Sequence, residues 1–159
     1  MQPEQAIAAE WLGCVLRAYP GQTAAFLSAE KDQFRNPIGH TLSEALAVLL
    51  DELLGGMDPE RVRAALDAIL QIRAVEDRPA SQAIDFLFQL KPILARHLTA
   101  GQLELLHGRI DEMALAAFDI FVQYRERTWQ ARANEARRRV FVLERFQSRA
   151  REQAAGGTD

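Results

Sequence analysis

Three histidines, His40, His97 and His107, are the side chains best suited to hold a metal or a haem iron. No two of them fall at the i, i+3 or i+4 separation that sets two ligands on one helix face, so a metal site built from them alone is not expected. His97 would be the first candidate for an axial haem ligand and His107 the second. The simpler reading places His97 with Arg96 at the end of a helix, where positive charge meets the negative end of the macrodipole. His40 reads as a loop residue and His107 as a surface residue beside Gly108. Lys31, Asp32, Arg73, Asp77 and Lys91 pose a different question, because they lie in stretches that otherwise read as buried or half-buried. A buried charge needs a partner or costs several kcal/mol, so internal ion pairs are expected at the helix junctions, with Asp32 or Asp77 facing Arg73. The functional alternative for these five is a ligand pocket or a switch. Asp119, between Phe118 and Phe121, is expected in a buried pair, Arg125 in solvent, and Asn36 before Pro37 in a turn. A nucleophile with a base, paired carboxylates in a cleft and a glycine-rich phosphate loop are all missing from the pattern, and Gly55-Gly56 lacks the strand and lysine of such a loop. No enzymatic activity is expected.

The chain around these residues has 159 positions, 48% hydrophobic and 26% charged, enough to enclose one core without a disulfide or structural metal. A net charge of -3 lacks the positive field that holds nucleic acid. Cys14 is the single cysteine and reads as a small buried apolar side chain, a reactive thiol being the minority reading. Asp51 and Glu52 interrupt the longest apolar run, so no membrane insertion is expected, and the N-terminus carries no secretory signal. A cytoplasmic protein follows as the expectation.

Helical periodicity dominates and alternating strand patterns are absent, which makes the fold class all-α. Ile7, Trp11, Val15, Leu12 and Leu16 form one apolar face before Tyr19-Pro20-Gly21, and a short second helix carries Phe26 and Leu27. Thr41 with Glu44 has capping-box spacing and predicts the next helix start, ending at Gly55-Gly56. Asp58-Pro59-Glu60 starts another, with Val62, Leu66, Ile69 and Leu70 inward, running to about Val75. A fifth begins near Pro79 to Ser81 and buries Ile84, Leu87, Phe88 and Phe86, until Pro92 forces a kink or a stop.

Thr99 with Gln102 is a second capping-box pair, and only Gly108 could interrupt a last helix reaching about Gln153, roughly 80 Å at about 1.5 Å per residue. Its first half reads as core through Leu106, Ile110, Met113, Leu115, Phe118, Ile120, Phe121 and Val122. Its second half turns arginine-rich, and that run would meet phosphate or an anionic surface only through a field weakened by interspersed glutamates. The expected organisation is a helical domain over residues 1–125, a projecting charged helix over 126–153 and a disordered tail over 154–159. Trp129, Val140, Phe141, Leu143 and Phe146 on that helix, with Val142 among them, mark a contact surface; the alternative is that the helix folds back and completes the domain's own core.

Lys31-Asp32-Gln33-Phe34-Arg35-Asn36-Pro37-Ile38-Gly39, then Ile72-Arg73-Ala74-Val75-Glu76-Asp77 with Ser81-Gln82-Ala83, then Phe88-Gln89-Leu90-Lys91, form an ordered series. With Ala117-Phe118-Asp119 and Tyr124-Arg125-Glu126 ahead of the arginine-rich helix, this series resembles the N-terminal domain of RsbR-type stressosome proteins of the RsbRD class, from about Trp11 to Leu143. The resemblance implies a globin-like helical bundle of about six helices, without haem, which dimerises and signals down its last helix to a STAS output domain. No STAS sequence follows here, so the resemblance is to a stand-alone or truncated member. Stand-alone relatives also imply a setting beside sulfur-metabolism redox complexes, and so a signalling or redox-complex protein as partner. The expectation is a non-enzymatic sensor or interaction module, a homodimer through its C-terminal helix, with no cofactor. The alternatives are a haem- or small-ligand-binding globin relative, which a visible absorption band would reveal, and an adaptor docking Phe141, Val142 and Phe146 on a larger complex.

Overall fold

The computed structural model describes residues 3–76 and 78–156, and these form six helices with no strand among them. They are α1 (Pro3–Arg17), α2 (Gly21–Ala29), α3 (Pro37–Leu54), α4 (Pro59–Val75), α5 (Ala80–His97) and α6 (Ala100–Ala155). The chain divides into two compact units, Met1–Val122 and Gln123–Asp159. Among the described residues no helix is long and apolar enough to cross a membrane.

Side chains cap the starts of α3, α4 and α6. Asp58 accepts from the backbone N–H groups of Glu60 and Arg61, and Pro59 follows at the first helical position, where its missing donor costs nothing. At α6 the Gln102 side chain reaches back to the Thr99 N–H at 3.1 Å, as its capping-box spacing predicts. Thr41 and Glu44 proved misleading. The helix begins earlier, at Pro37, because the Asn36 side chain accepts from the Gly39 N–H at 2.8 Å and so supplies the cap itself. His40 is therefore in the first turns of α3, with its Nε2 3.2 Å from Glu44, and not in a loop.

Pro92 does not stop α5. The carbonyl deprived of its donor belongs to Phe88, and both residues are exposed, so water can take the lost partner's place. Gly108 does not break α6 either. That helix continues through Ala155, so Ala154 and Ala155 are helical; residues 157–159 lie outside the described residues.

The core of the first unit forms where α1 packs on α3 and α5, and α4 on α3 and α5. Trp11 is fully buried at its centre; its ring stacks on Phe86 with centroids 6.2 Å apart and its Nε1 donates to the Phe86 carbonyl at 2.7 Å. A buried indole keeps its apolar area and still satisfies its one donor. On α5 the inward stripe is Ala83, Phe86, Leu87 and Leu90, so Phe86 and Leu87 are buried as expected, whereas Phe88 is exposed and Ile84 half-buried on the neighbouring face. On α6 Leu106, Ile110, Met113, Ile120 and Phe121 are buried, whereas Leu115 and Phe118 are exposed, because one helix face is all the first unit covers.

The α3–α4 hairpin turns through Gly55, Gly56 and Met57, the last with a positive φ of 54°. A buried carboxylate secures it. Glu52 lies 2.6 Å from Arg61 and accepts the Asp58 N–H at 2.8 Å, so one side chain ties both helices to the turn.

Candidate functional site

Lys31, Asp32, Arg73, Asp77 and Lys91 do not converge. Lys31 and Asp32 sit in the segment between α2 and α3, both exposed, where the expected burial does not occur. Asp32 accepts the Phe34 N–H at 2.8 Å in a local turn, which uses the carboxylate that was expected to face Arg73. Lys31 lines a cavity of about 280 Å³ between this segment and α3, beside Ser28, His40 and Ser43. Lys91 bonds Asp111 across to α6 at 2.6 Å. Asp77 lies outside the described residues.

Arg73 is the member that burial singles out, at 1% exposure. It projects from α4 onto α5, where Nη1 donates to the Gln82 carbonyl at 2.9 Å and lies 3.6 Å from Asp85, and the guanidinium caps the Phe86 ring at 5.1 Å. Its partner is Asp85, one turn into α5, because the side chain follows its own helix toward that element. Burial pulls its pKa below the ordinary arginine value, opposed by Tyr19 and Asp85. Its Nε has no hydrogen-bond partner among the described residues. Nearby, burial first and then Glu76 push the Tyr19 phenol up to about 12. These residues form a polar joint between the ends of α1 and α4 and the start of α5.

His97 closes α5 as expected of a helix-end histidine. Its Nε2 lies 3.3 Å from Glu10, and Arg96 bonds the same carboxylate. His97 and then Arg96 hold the Glu10 carboxyl below its ordinary range. This arrangement ties α1 to α5 and leaves the imidazole engaged on the surface. Asp119 is exposed and not buried, since Phe118 beside it also faces outward.

The other candidate surface is in the second unit. From Trp129 to Gly156 every residue is exposed, including Trp129 at 68%, Phe141 at 58%, Leu143 at 60% and Phe146 at 64%, with Val140 and Val142. Among the described residues nothing within the unit covers them, and the helix does not fold back on itself to do so. Arg145 lies over the Phe141 ring at 5.7 Å, and Arg149 borders the same groove. The charge of the two units differs in sign. Residues 1–122 carry 10 basic and 17 acidic side chains, a net of -7, and residues 123–159 carry nine and five, a net of +4, which together give the chain's -3.

Three features escaped the sequence reading: the Glu52 clasp, the cap made by Asn36, and the opposite signs of the units. The last had a plain signal in the charges of each half, and Asn36-Pro37 is the same cap-then-proline pattern as Asp58-Pro59.

A family model described as the RsbT co-antagonist protein rsbRD N-terminal domain matches residues 5–136. No curated protein and no solved structure matches the chain.

Proposed function

Since the chain belongs to the family of RsbT co-antagonist rsbRD N-terminal domains, we propose that it is a non-enzymatic, cytoplasmic regulatory module that signals through its C-terminal helix as a homodimer. The observation that carries this reading is the run of large apolar side chains on a helix exposed throughout: Trp129, Val140, Phe141, Leu143 and Phe146. Exposed apolar clusters of this kind mark contact surfaces. A signal would act by shifting the balance between two packings of the paired helices, and the polar joint at Arg73 is where the first unit could feel a ligand or partner.

The test is native mass spectrometry of the whole chain beside Val140→Glu/Leu143→Glu. The wild type should be a dimer. The variant should be a monomer with unchanged helical content and the same cooperative melting of the first unit. A monomeric wild type, or a variant that stays dimeric, would remove the helix from this role. The same spectrum reads any small molecule retained by the protein.

A further inference from the structure

The second unit carries more than an apolar cluster. Trp129, Ala133, Ala136, Val140, Leu143 and Ala150 recur at alternating separations of four and three, with Gln147 the one polar member, and all are exposed. That spacing is the seam of a two-stranded coiled coil, with Ala133, Val140 and Gln147 in one set of core positions and Trp129, Ala136, Leu143 and Ala150 in the other. The positions flanking the seam decide which partner and which direction it accepts.

We propose that this seam pairs with the same seam of a second copy in antiparallel orientation, with Val140 and Leu143 of each copy meeting Leu143 and Val140 of the other at the twofold axis. The inference rests on the homodimer reading above and adds orientation and register to it. In this register Ala133 faces Ala150, Ala136 faces Gln147 and Trp129 faces Ala154, so the one bulky indole meets a methyl group. Arg137 then lies beside Glu144 of the second copy, twice, and Arg139 beside the Phe146 ring, twice. Arg137 and Glu144 make no ion pair within the chain among the described residues. They are also two turns apart on one helix, about 10 Å, and cannot reach each other there.

The alternatives meet like charges. Parallel pairing in register stacks Trp129 on Trp129 while Ala133 and Ala136 call for close approach, and it sets Arg132 beside Arg137 of the other copy, which offsets the pair it forms between Arg139 and Glu144. Sliding the antiparallel pair by one heptad one way brings Arg137 onto Arg137 and Arg139 onto Arg139; the other way brings Glu144 onto Glu144. Charge at the flanking positions thus selects a single register.

Full-length chains with Cys14→Ser and either Ala133→Cys or Ala150→Cys provide the test, oxidised at a concentration where the wild type is dimeric by native mass spectrometry. Antiparallel pairing predicts a disulfide in the 1:1 mixture, joining residue 133 to residue 150, and none in either variant alone, whose thiols would be about 25 Å apart. Self-crosslinking of each variant alone would mean parallel pairing, overturning the orientation and leaving the homodimer intact. A dimer that crosslinks in neither way would remove the helix as the interface and overturn both readings, as would a monomeric wild type. Charge reversal gives an independent readout. Glu144→Arg should weaken the dimer by about tenfold or more, and adding Arg137→Glu should restore it; rescue by Arg139→Glu in its place is the parallel outcome and would overturn the proposal.

Discussion

Asn36 is 3% exposed and its side chain makes three hydrogen bonds: its Nδ2 donates to the Leu27 and Glu30 carbonyls, both at 2.9 Å, and its Oδ1 accepts the Gly39 N–H. Asn36→Ala removes a helix cap worth about 1 kcal/mol and strands two carbonyls, at least one of them buried, at about 1 kcal/mol or more each. The expected loss is roughly 3 kcal/mol, or a melting temperature lower by about 10 °C. Asn36→Asp is the sharper probe. At an ordinary N-cap aspartate serves as well as asparagine. Here the new carboxylate oxygen would face two carbonyl oxygens, so the change should cost as much as the alanine. Gly39 completes the argument, since a Cβ there would stand 2.3 Å from the Asn36 amide nitrogen. Gly39→Ala should destabilise the wild type, yet in the Asn36→Ala background it should be neutral or stabilising by up to about 1 kcal/mol through helix propensity. Thermal and urea melts of the wild type and the four variants form the assay. Wild-type stability for Asn36→Asp, or an equal cost of Gly39→Ala in both backgrounds, would refute the reasoning.

The other predictions concern single side chains. Tyr19 has its folded pKa raised from 10 to about 12, so its contribution is complete below pH 10 and fades as pH rises toward 12. Melts across that window should show wild type losing ground to Tyr19→Phe; parallel curves would contradict the burial of the phenol. Glu10 has its pKa lowered, so its contribution exists above the ordinary value of 4.5 and disappears as pH falls through the folded value. The stability gap between wild type and Glu10→Gln at pH 7 should accordingly narrow as pH falls below 4.5, and a gap that does not narrow in acid would assign it to something other than the ion pairs with His97 and Arg96. Met57 occupies the left-handed region at φ 54°. Met57→Gly should be neutral or stabilise by about 1 kcal/mol in urea melts, and a clear loss would show that the Met57 side chain outweighs the strain.

Where the signal is local, the chain was legible. Asp58-Pro59 and Gly55-Gly56 fix helix ends through chemistry that needs only neighbouring residues, and the inward faces of α1 and α4 follow from spacing alone. Thr41 with Glu44 matched a local pattern equally well and lost to Asn36, whose cap is reinforced by the distant Leu27 carbonyl. Pairings were less accessible. Arg73 announces only that it needs a partner; that the partner is Asp85 and not Asp32 depends on how α5 packs beside α4. Apolar type alone reads Leu115 and Phe118 as core, whereas their direction depends on which face of α6 the first unit covers. Trp129, Val140, Phe141, Leu143 and Phe146 are exposed, since a helix exposed all round has no tertiary context to override its pattern.

The opposite signs of the two units carry a consequence for how the protein behaves in solution. A chain of net -3 and pI near 5.7 would ordinarily be treated as a weakly acidic solute. It is a block polyampholyte, and its basic block extends about 50 Å as a helix, several times the screening length of about 8 Å at physiological ionic strength. Each block therefore meets its surroundings as a separate polyion. Near pH 5.7, where the mean charge vanishes, attraction between unlike blocks of different molecules persists, and added salt should raise solubility in place of lowering it. Ion-exchange behaviour would follow the blocks too, with retention on both anionic and cationic resins at low salt.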